Sequence, residues 1–305
     1  MVRFRGANAA RVRPNTAESR YQLFIYAVVA ALLVIAVFPL VYVVCVSLTS
    51  EAEWLERGNL MLIPLRPTVA AYRRIFVTNS LMMNSFLISV ARTVCGTSLE
   101  IPCTLITGYI ASRRDMPGSK VLMFMVLITT LFSGGLIPTF LVVKDTGLYN
   151  SFLAMIIPGL LNSWGMLVFR QFFLNLPHEI EESAEVDGIT KLGLMLRIVI
   201  PMSAAVLAAM GLFVAVAHWN SWFDALIYIA NNQLKPLQLI LYNMNADANL
   251  GYNVNDLTNY DLRARVSTRS LRMALTMIGT VPILCVYPFL QKYFVKGVYV
   301  GAIKG

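Results

Sequence analysis

The sequence reads as an all-α integral membrane protein with six transmembrane helices, and three observations carry that reading. The composition is 57% hydrophobic and only 13% charged, with mean hydropathy +0.66, whereas soluble domains carry about 25% charged residues. Six stretches meet the ~20 mainly apolar residues that a span requires. The formal net charge of +9 is placed around those stretches: Arg3, Arg5, Arg11, Arg13 and Arg20 precede the first, and Lys292, Lys296 and Lys304 follow the last. Basic clusters beside spans mark cytoplasmic segments and account for the charge without nucleic acid.

In order, residues 1–20 form a basic cytoplasmic tail, and 21–305 form one transmembrane domain. The first span is 21–47, with Pro39 as a kink. It is too long for a signal-peptide core and lacks a cleavage pattern. A polar loop with Glu51, Glu53, Trp54 and Glu56 follows. The second span, 81–112, contains Arg92 and Glu100. Arg113, Arg114 and Lys120 around a Pro-Gly turn put the next loop on the cytoplasmic side. The third span, 121–143, is interrupted by Ser133, Gly134, Gly135 and Pro138, where a bend or close helix contact is expected. The fourth is 151–169, the fifth 198–217 and the sixth 273–290. A long external loop occupies about 218–272, and both termini are cytoplasmic. No internal repeat is present.

Between the fourth and fifth spans, at 177–201, Glu179, Glu181, Glu182, Glu185 and Asp187 crowd together between nearly uncharged runs. Pro177 suits the start of a helix, and carboxylates in the first turn complement the positive end of its dipole. Ile180, Ala184 and Gly188 recur at i, i+4 and i+8 and form an apolar, very small face. That face reads as one that lets another protein come close. Counting crossings places this helix, about 177–193, in the cytoplasm. Gly188 marks a break.

No enzymatic constellation appears. The chain has no P-loop, no G-x-S-x-G elbow and no H-E-x-x-H pair. Cys45, Cys95, Cys103 and Cys285 lie in apolar runs without ligand spacing and read as buried small hydrophobes. No metal site is expected, because His178 and His218 are far apart. Ionisable groups in a span face a partner or a pathway. Arg92 and Glu100 therefore have two readings. Each pairs with a polar group on a neighbouring helix, or they line a solute path with Asn84, and Ser85 beside it. Eight residues separate them, about 12 Å along a helix, which excludes a direct ion pair. Trp219, Asn220 and Trp222 likewise read as interface anchors or as contacts to an external protein or sugar rings.

The stretch 177–201 resembles the EAA loop of the membrane subunits of binding-protein-dependent ABC importers. The pattern is E-A-A, three residues, G, nine residues, I, one residue, L-P. Here Glu182-Ser183-Ala184, Gly188, Ile198, Ile200 and Pro201 keep every spacing, with Ser183 and Ile200 as the departures. Trp219-Asn220 and the terminal QKYFVKGVYVGAIKG are similar to the carbohydrate branch. SGGLIPTF, RQFFLNLP, HWNSWFDALIY and KPLQL resemble the permeases of complex, acidic oligosaccharides such as alginate fragments.

The resemblance implies a type I importer permease core in the bacterial inner membrane, working with a second homologous permease. Two ATP-binding cassette subunits would bind ATP and Mg, and an extracellular or periplasmic solute-binding protein would deliver the oligosaccharide. The chain itself would hold no cofactor. Glu182, Ser183, Ala184, Asp187 and Gly188 would belong to the coupling helix that docks on the ATPase, and 297–305 would also reach the ATPases. The alternatives are a secondary transporter or channel working alone and a membrane assembly factor without a solute. The topology has a direct test. A cysteine placed in 247–261 should crosslink to a solute-binding protein from outside, and labelling only from the cytoplasm would overturn the assignment.

Overall fold

The computed structural model describes residues 16–57, 63–78, 80–113, 116–250 and 268–302. Most of the basic tail, Arg114, the polar run 251–267 with part of the proposed crosslinking stretch, and 303–305 lie outside the described residues. Every regular element among those described is helical.

Helix α1 (Thr16–Ser47) contains Pro39 and is almost wholly apolar after its first two turns. Residues 20–41 are exposed, and only the C-terminal end packs, against the last helix. Two short helices follow, α2 (Glu51–Arg57) and α3 (Ala70–Arg73), the latter running into a π turn at Arg74–Thr78. The Glu53 carboxylate ties this cap together. It accepts the Leu65 N–H at 2.6 Å, the Arg66 N–H at 3.1 Å and Arg57 Nη1 at 3.0 Å. The Leu65 N–H first, and then the other two donors, hold its carboxyl below the ordinary range.

The spine of the molecule is α4 (Ser80–Ser112), 33 residues long and therefore about 50 Å. After it come α5 (Ser119–Leu131) and α6 (Leu136–Asp145). The expected third span is thus split by non-helical residues 132–135, where Gly135 takes φ 84° and ψ 170°, a conformation open almost only to glycine. Two 3₁₀ turns, Phe152–Met155 and Ile157–Gly159, lead into α7 (Ser163–Leu174) across a 47° bend. Pro158 and Gly159 break what the sequence suggested as one span.

Next are α8 (His178–Val186), α9 (Lys191–Leu194), a π turn at Met195–Val199, and α10 (Ile200–Met202). An 80° bend at Ser203 separates these from α11 (Ala204–Asn220). Pro201 lacks the N–H that would continue the ladder, and the buried Ser203 hydroxyl donates to the Val199 carbonyl at 2.7 Å. The fifth apolar run is therefore a bent pair, and its helix extends through Asn220.

The expected external loop of 218–272 is corrected in its first half. Here α12 (Phe223–Tyr228) and α13 (Leu237–Leu250) are packed helices, with Ala225, Leu237 and Leu239 completely buried. Burial of Leu237, Ile240, Leu241 and Met244 follows a helical period, and that face packs on α4 and on α14 (Thr268–Ala302). Among the described residues, three helices are long and apolar enough to cross a membrane, or five if each bent pair counts once. All four cysteines are free, and Cys95 and Cys285 are exposed in this chain, not buried as expected.

Among the described residues, three buried clusters hold the bundle. One joins α3, α4, α13 and α14 around Met82 and Leu275. Another joins α4, α7, α8 and the π turn around Phe169 and Val199. A third joins α6, the first 3₁₀ turn, α12 and α13 around Met155 and Tyr228. Helix α7 meets α4 at Gly108, where an added Cβ would stand 2.8 Å from the Phe169 Cβ and 3.1 Å from the Met166 carbonyl oxygen. Gly108→Leu should therefore force the two helices apart and destabilise the fold by about 1–3 kcal/mol. The check is the thermal midpoint in detergent, with Gly108→Ala showing a smaller loss; two unchanged midpoints would refute the close contact.

Candidate coupling surface and buried polar nodes

The acidic helix α8 is seated by its small side. Ala184 is only 3% exposed and packs in the cluster of Phe169, Phe173, Leu194 and Val199. The Asp187 N–H makes the last i→i−4 bond of this helix, to the Ser183 carbonyl at 3.1 Å, and the Ile189 N–H then closes the end in the 6→1 manner of a Schellman motif, on the Ala184 carbonyl at 3.0 Å. Gly188 sits between them at φ 74° with open space around its missing side chain. The left-handed backbone at this position favours glycine. Ile189 then packs beside Ala184 in the same cluster.

For Ala184 this differs from the face inferred from the sequence. Ala184 points into the chain, and the outward surface comprises Glu179, Glu182, Ser183, Val186, Asp187 and Gly188. Val186 is 88% exposed, an apolar side chain standing among carboxylates. The Ser183 hydroxyl donates to the Glu179 carbonyl at 2.6 Å, so Ser183 adds little polarity to this surface. Thr190 caps α9 by accepting the Gly193 N–H at 3.2 Å and continues the path toward the π turn.

Arg92, Glu100 and Asn84 are not brought into one site. The Arg92 guanidinium is 2% exposed and forms an ion pair with both oxygens of Asp224. It also donates to the Ser221 carbonyl at 3.1 Å and the Met155 carbonyl at 3.2 Å. Asp224 additionally accepts the Ser221 hydroxyl and the Ala225 N–H, each at 2.9 Å. Glu100 lies in a second node: Oε2 is 3.0 Å from His218 Nε2, and Oε1 accepts from Asn162 Nδ2 at 3.3 Å. Asn84 donates to the Gln233 carbonyl. The reading in which each charge pairs with a neighbouring element holds for Arg92 and Glu100. The sequence did not point to Asp224, His218 and Asn162 as their partners, because those pairings span from 62 to 132 residues.

The aromatic group divides. Trp219 is 6% exposed, donates its indole N–H to the Gly279 carbonyl at 2.8 Å and meets Phe86 edge-on. That corrects its assignment as an outer contact, since a buried ring cannot stack on a docked protein or sugar. Trp222 is half-buried and stacked on Tyr242 at 3.8 Å between centroids. Asn220 is exposed.

No protein-family model matches the chain. It is 36% identical over 285 residues to the polygalacturonan/rhamnogalacturonan transport system permease protein YtcP of Bacillus subtilis (strain 168), covering 93% of this chain and 98% of that one. Protein LplC of the same organism is 36% identical over 271 residues, covering 89% and 90%. The arabinooligosaccharides transport system permease protein AraQ of Halalkalibacterium halodurans is 27% identical over 274 residues, covering 89% and 92%. Among solved structures, a bacterial ABC transporter involved in the import of the acidic polysaccharide alginate contains a chain of the same fold. Its TM-score is 0.81 at 24% identity, covering 92% of this chain and 98% of that one.

Removing one partner of a buried ion pair typically costs about 3–5 kcal/mol, because the other charge stays uncompensated. Arg92→Met should lower the thermal midpoint sharply, and adding Asp224→Leu should recover part of the loss. A double-mutant cycle measures this coupling, and strictly additive losses would contradict the pairing.

Proposed function

Because the chain belongs to the permease subunits of ABC sugar transport systems, we propose that it forms one half of the membrane pathway for an oligosaccharide rich in uronic acids. A solute-binding protein delivers the sugar, a second homologous permease completes the pathway, and two ATPase subunits bind ATP and Mg and supply the energy. The uronic-acid assignment is supported by the substrate for which the relative YtcP is named, since polygalacturonan is a polymer of galacturonate. Both termini face the cytoplasm in this reading, following the basic residues beside the first and last spans.

The observation that carries the coupling assignment is the seating of α8. A docking helix must transmit force, so its inner side has to be fixed to the permease while its outer side remains available. Ala184 and Ile189 supply the fixed side, and Glu179, Glu182, Val186 and Asp187 supply the available one. The carboxylates suit basic groups on the ATPase, and Val186 suits a small apolar pocket between them. Glu182, Ser183, Ala184, Asp187 and Gly188 thus divide between contact and support: Ala184 and Gly188 shape the helix, while Glu182 and Asp187 meet the partner.

Glu182→Lys and Val186→Asp should each reduce ATP-dependent uptake about tenfold, equivalent to ~1.4 kcal/mol of lost coupling, while leaving membrane insertion and thermal midpoint unchanged. Proteoliposome uptake and ATPase copurification test this together. Full ATP-dependent uptake with stoichiometric ATPases in both variants would sink the coupling surface, and uptake without ATPases would replace the importer by a transporter acting alone. Competition between neutral and uronic-acid oligosaccharides tests the substrate class.

A further inference from the structure

Two helix breaks stand beside each other in this chain. The first, residues 132–135 between α5 and α6, lies about 17 Å of helix beyond Val121, where the third apolar run begins. That is well inside a hydrocarbon layer ~30 Å thick. The second precedes α7, where Pro158 and Gly159 accompany the 47° bend. The Thr129 hydroxyl, one turn before Ser133, meets the Ser163 hydroxyl at 3.2 Å and so joins the two breaks. Beside Ser163, Trp164 is 57% exposed, its ring at right angles to that of Phe213.

The first break is a polar interruption in an otherwise apolar outer surface. Residues 127–139 are all exposed. Among the described residues, no acceptor meets the N–H groups of Ser133 and Gly134, and no donor meets the Thr130 and Leu131 carbonyls. The Ser133 hydroxyl accepts the Gly135 N–H at 3.3 Å and keeps its own proton to donate. A Cβ at Gly134 would meet nothing within 4 Å, so no described part of this chain lies over it. Unpaired backbone is not sustained against lipid tails; at membrane depth it is tolerated only beside protein or a water-filled path. The groups gathered here favour the path. Hydroxyls and backbone amides match the hydroxyls of a pyranose, and an exposed indole covers its apolar C–H face. We propose that residues 132–135, Ser163 and Trp164 form the wall on which the oligosaccharide rests as it passes this chain. The inference rests on the importer function and names residues of its pathway. None of these side chains is charged, so the wall holds rings and hydroxyls and leaves the carboxylates to water or other groups. Water serves the same backbone groups between passages, which keeps the contact weak enough to release the sugar.

The test uses the full complex in proteoliposomes, with a galacturonate trisaccharide as the probe. Gly134 has open space around it and a φ outside the left-handed region, so Gly134→Phe fits this chain without strain. It should keep the thermal midpoint, the second permease and the ATPases, yet lower ATP-dependent uptake about tenfold by narrowing the path. Trp164→Ala should lower uptake about fivefold, and Trp164→Phe, which keeps a flat ring, should restore most of it. A second measurement does not depend on transport. Ser133→Cys should react from water with a charged thiol reagent, about threefold more slowly when the probe is bound. Leu32→Cys, on the exposed side of α1, should not react, and the unsubstituted chain sets the background of its own cysteines. Full uptake in Gly134→Phe, loss of the second permease from it, or a Ser133→Cys as inert as Leu32→Cys overturns the proposal. The first removes the break from the path, the second assigns it to the permease interface and the third to lipid. A wild type that takes up no probe counts against the importer function or its substrate class alone, because the thiol reaction still decides whether the break faces water.

Discussion

A charge buried in an apolar bundle has to be matched by the chain that carries it, and α4 carries two. Around Arg92 gather Asp224 and the carbonyls of Met155 and Ser221. Around Glu100 gather His218 and Asn162. Both nodes clamp the same two helix breaks, within 152–162 and 218–224, against one continuous helix. Irregular backbone at membrane depth is tolerated only where protein groups satisfy its polar atoms. Arg92 does this directly, because its donors meet carbonyls beside the helix breaks. The charges thus hold the broken elements in register and allow helices as short as α12 to persist within the bundle.

Helix α8 depends on the same spine at one remove. Ala184 and Ile189 rest on Phe169, Phe173 and the π turn, and α7 lies against α4 at Gly108. A force on the outward carboxylates therefore reaches α7 and α4 through packed side chains. It reaches α11 only across the 80° bend at Ser203. The left-handed Gly188 closes α8 sharply, so the helix stays a compact lever and does not run on into the following chain.

Much apolar surface stays outside these clusters. Residues 20–41 of α1 and most of 124–142 are exposed in the single chain. Continuous apolar surface of this extent is not sustained in water. In a multi-pass subunit of a membrane assembly it is where lipid tails and neighbouring subunits lie.

Much of this protein was legible in its residues alone. Long apolar runs between basic clusters specify a helical membrane protein, and the spacing from Glu182 to Pro201 points to the family. These are local or compositional signals, and the bilayer enforces them because unsatisfied backbone is too costly there. Direction and partnership were not legible. The period of Ile180, Ala184 and Gly188 marks a distinct face but does not say whether that face meets a partner or its own bundle; burial of Ala184 decided that. The polarity of 218–272 suggested a loop, although its first half buries Leu237 and Leu239 against distant helices. Arg92 and Glu100 announced that partners must exist, yet Asp224 and His218 are reached only when α11 and α12 fold back along α4. Those pairings depend on which surfaces pack, and packing is a property of the assembled bundle that no local stretch contains.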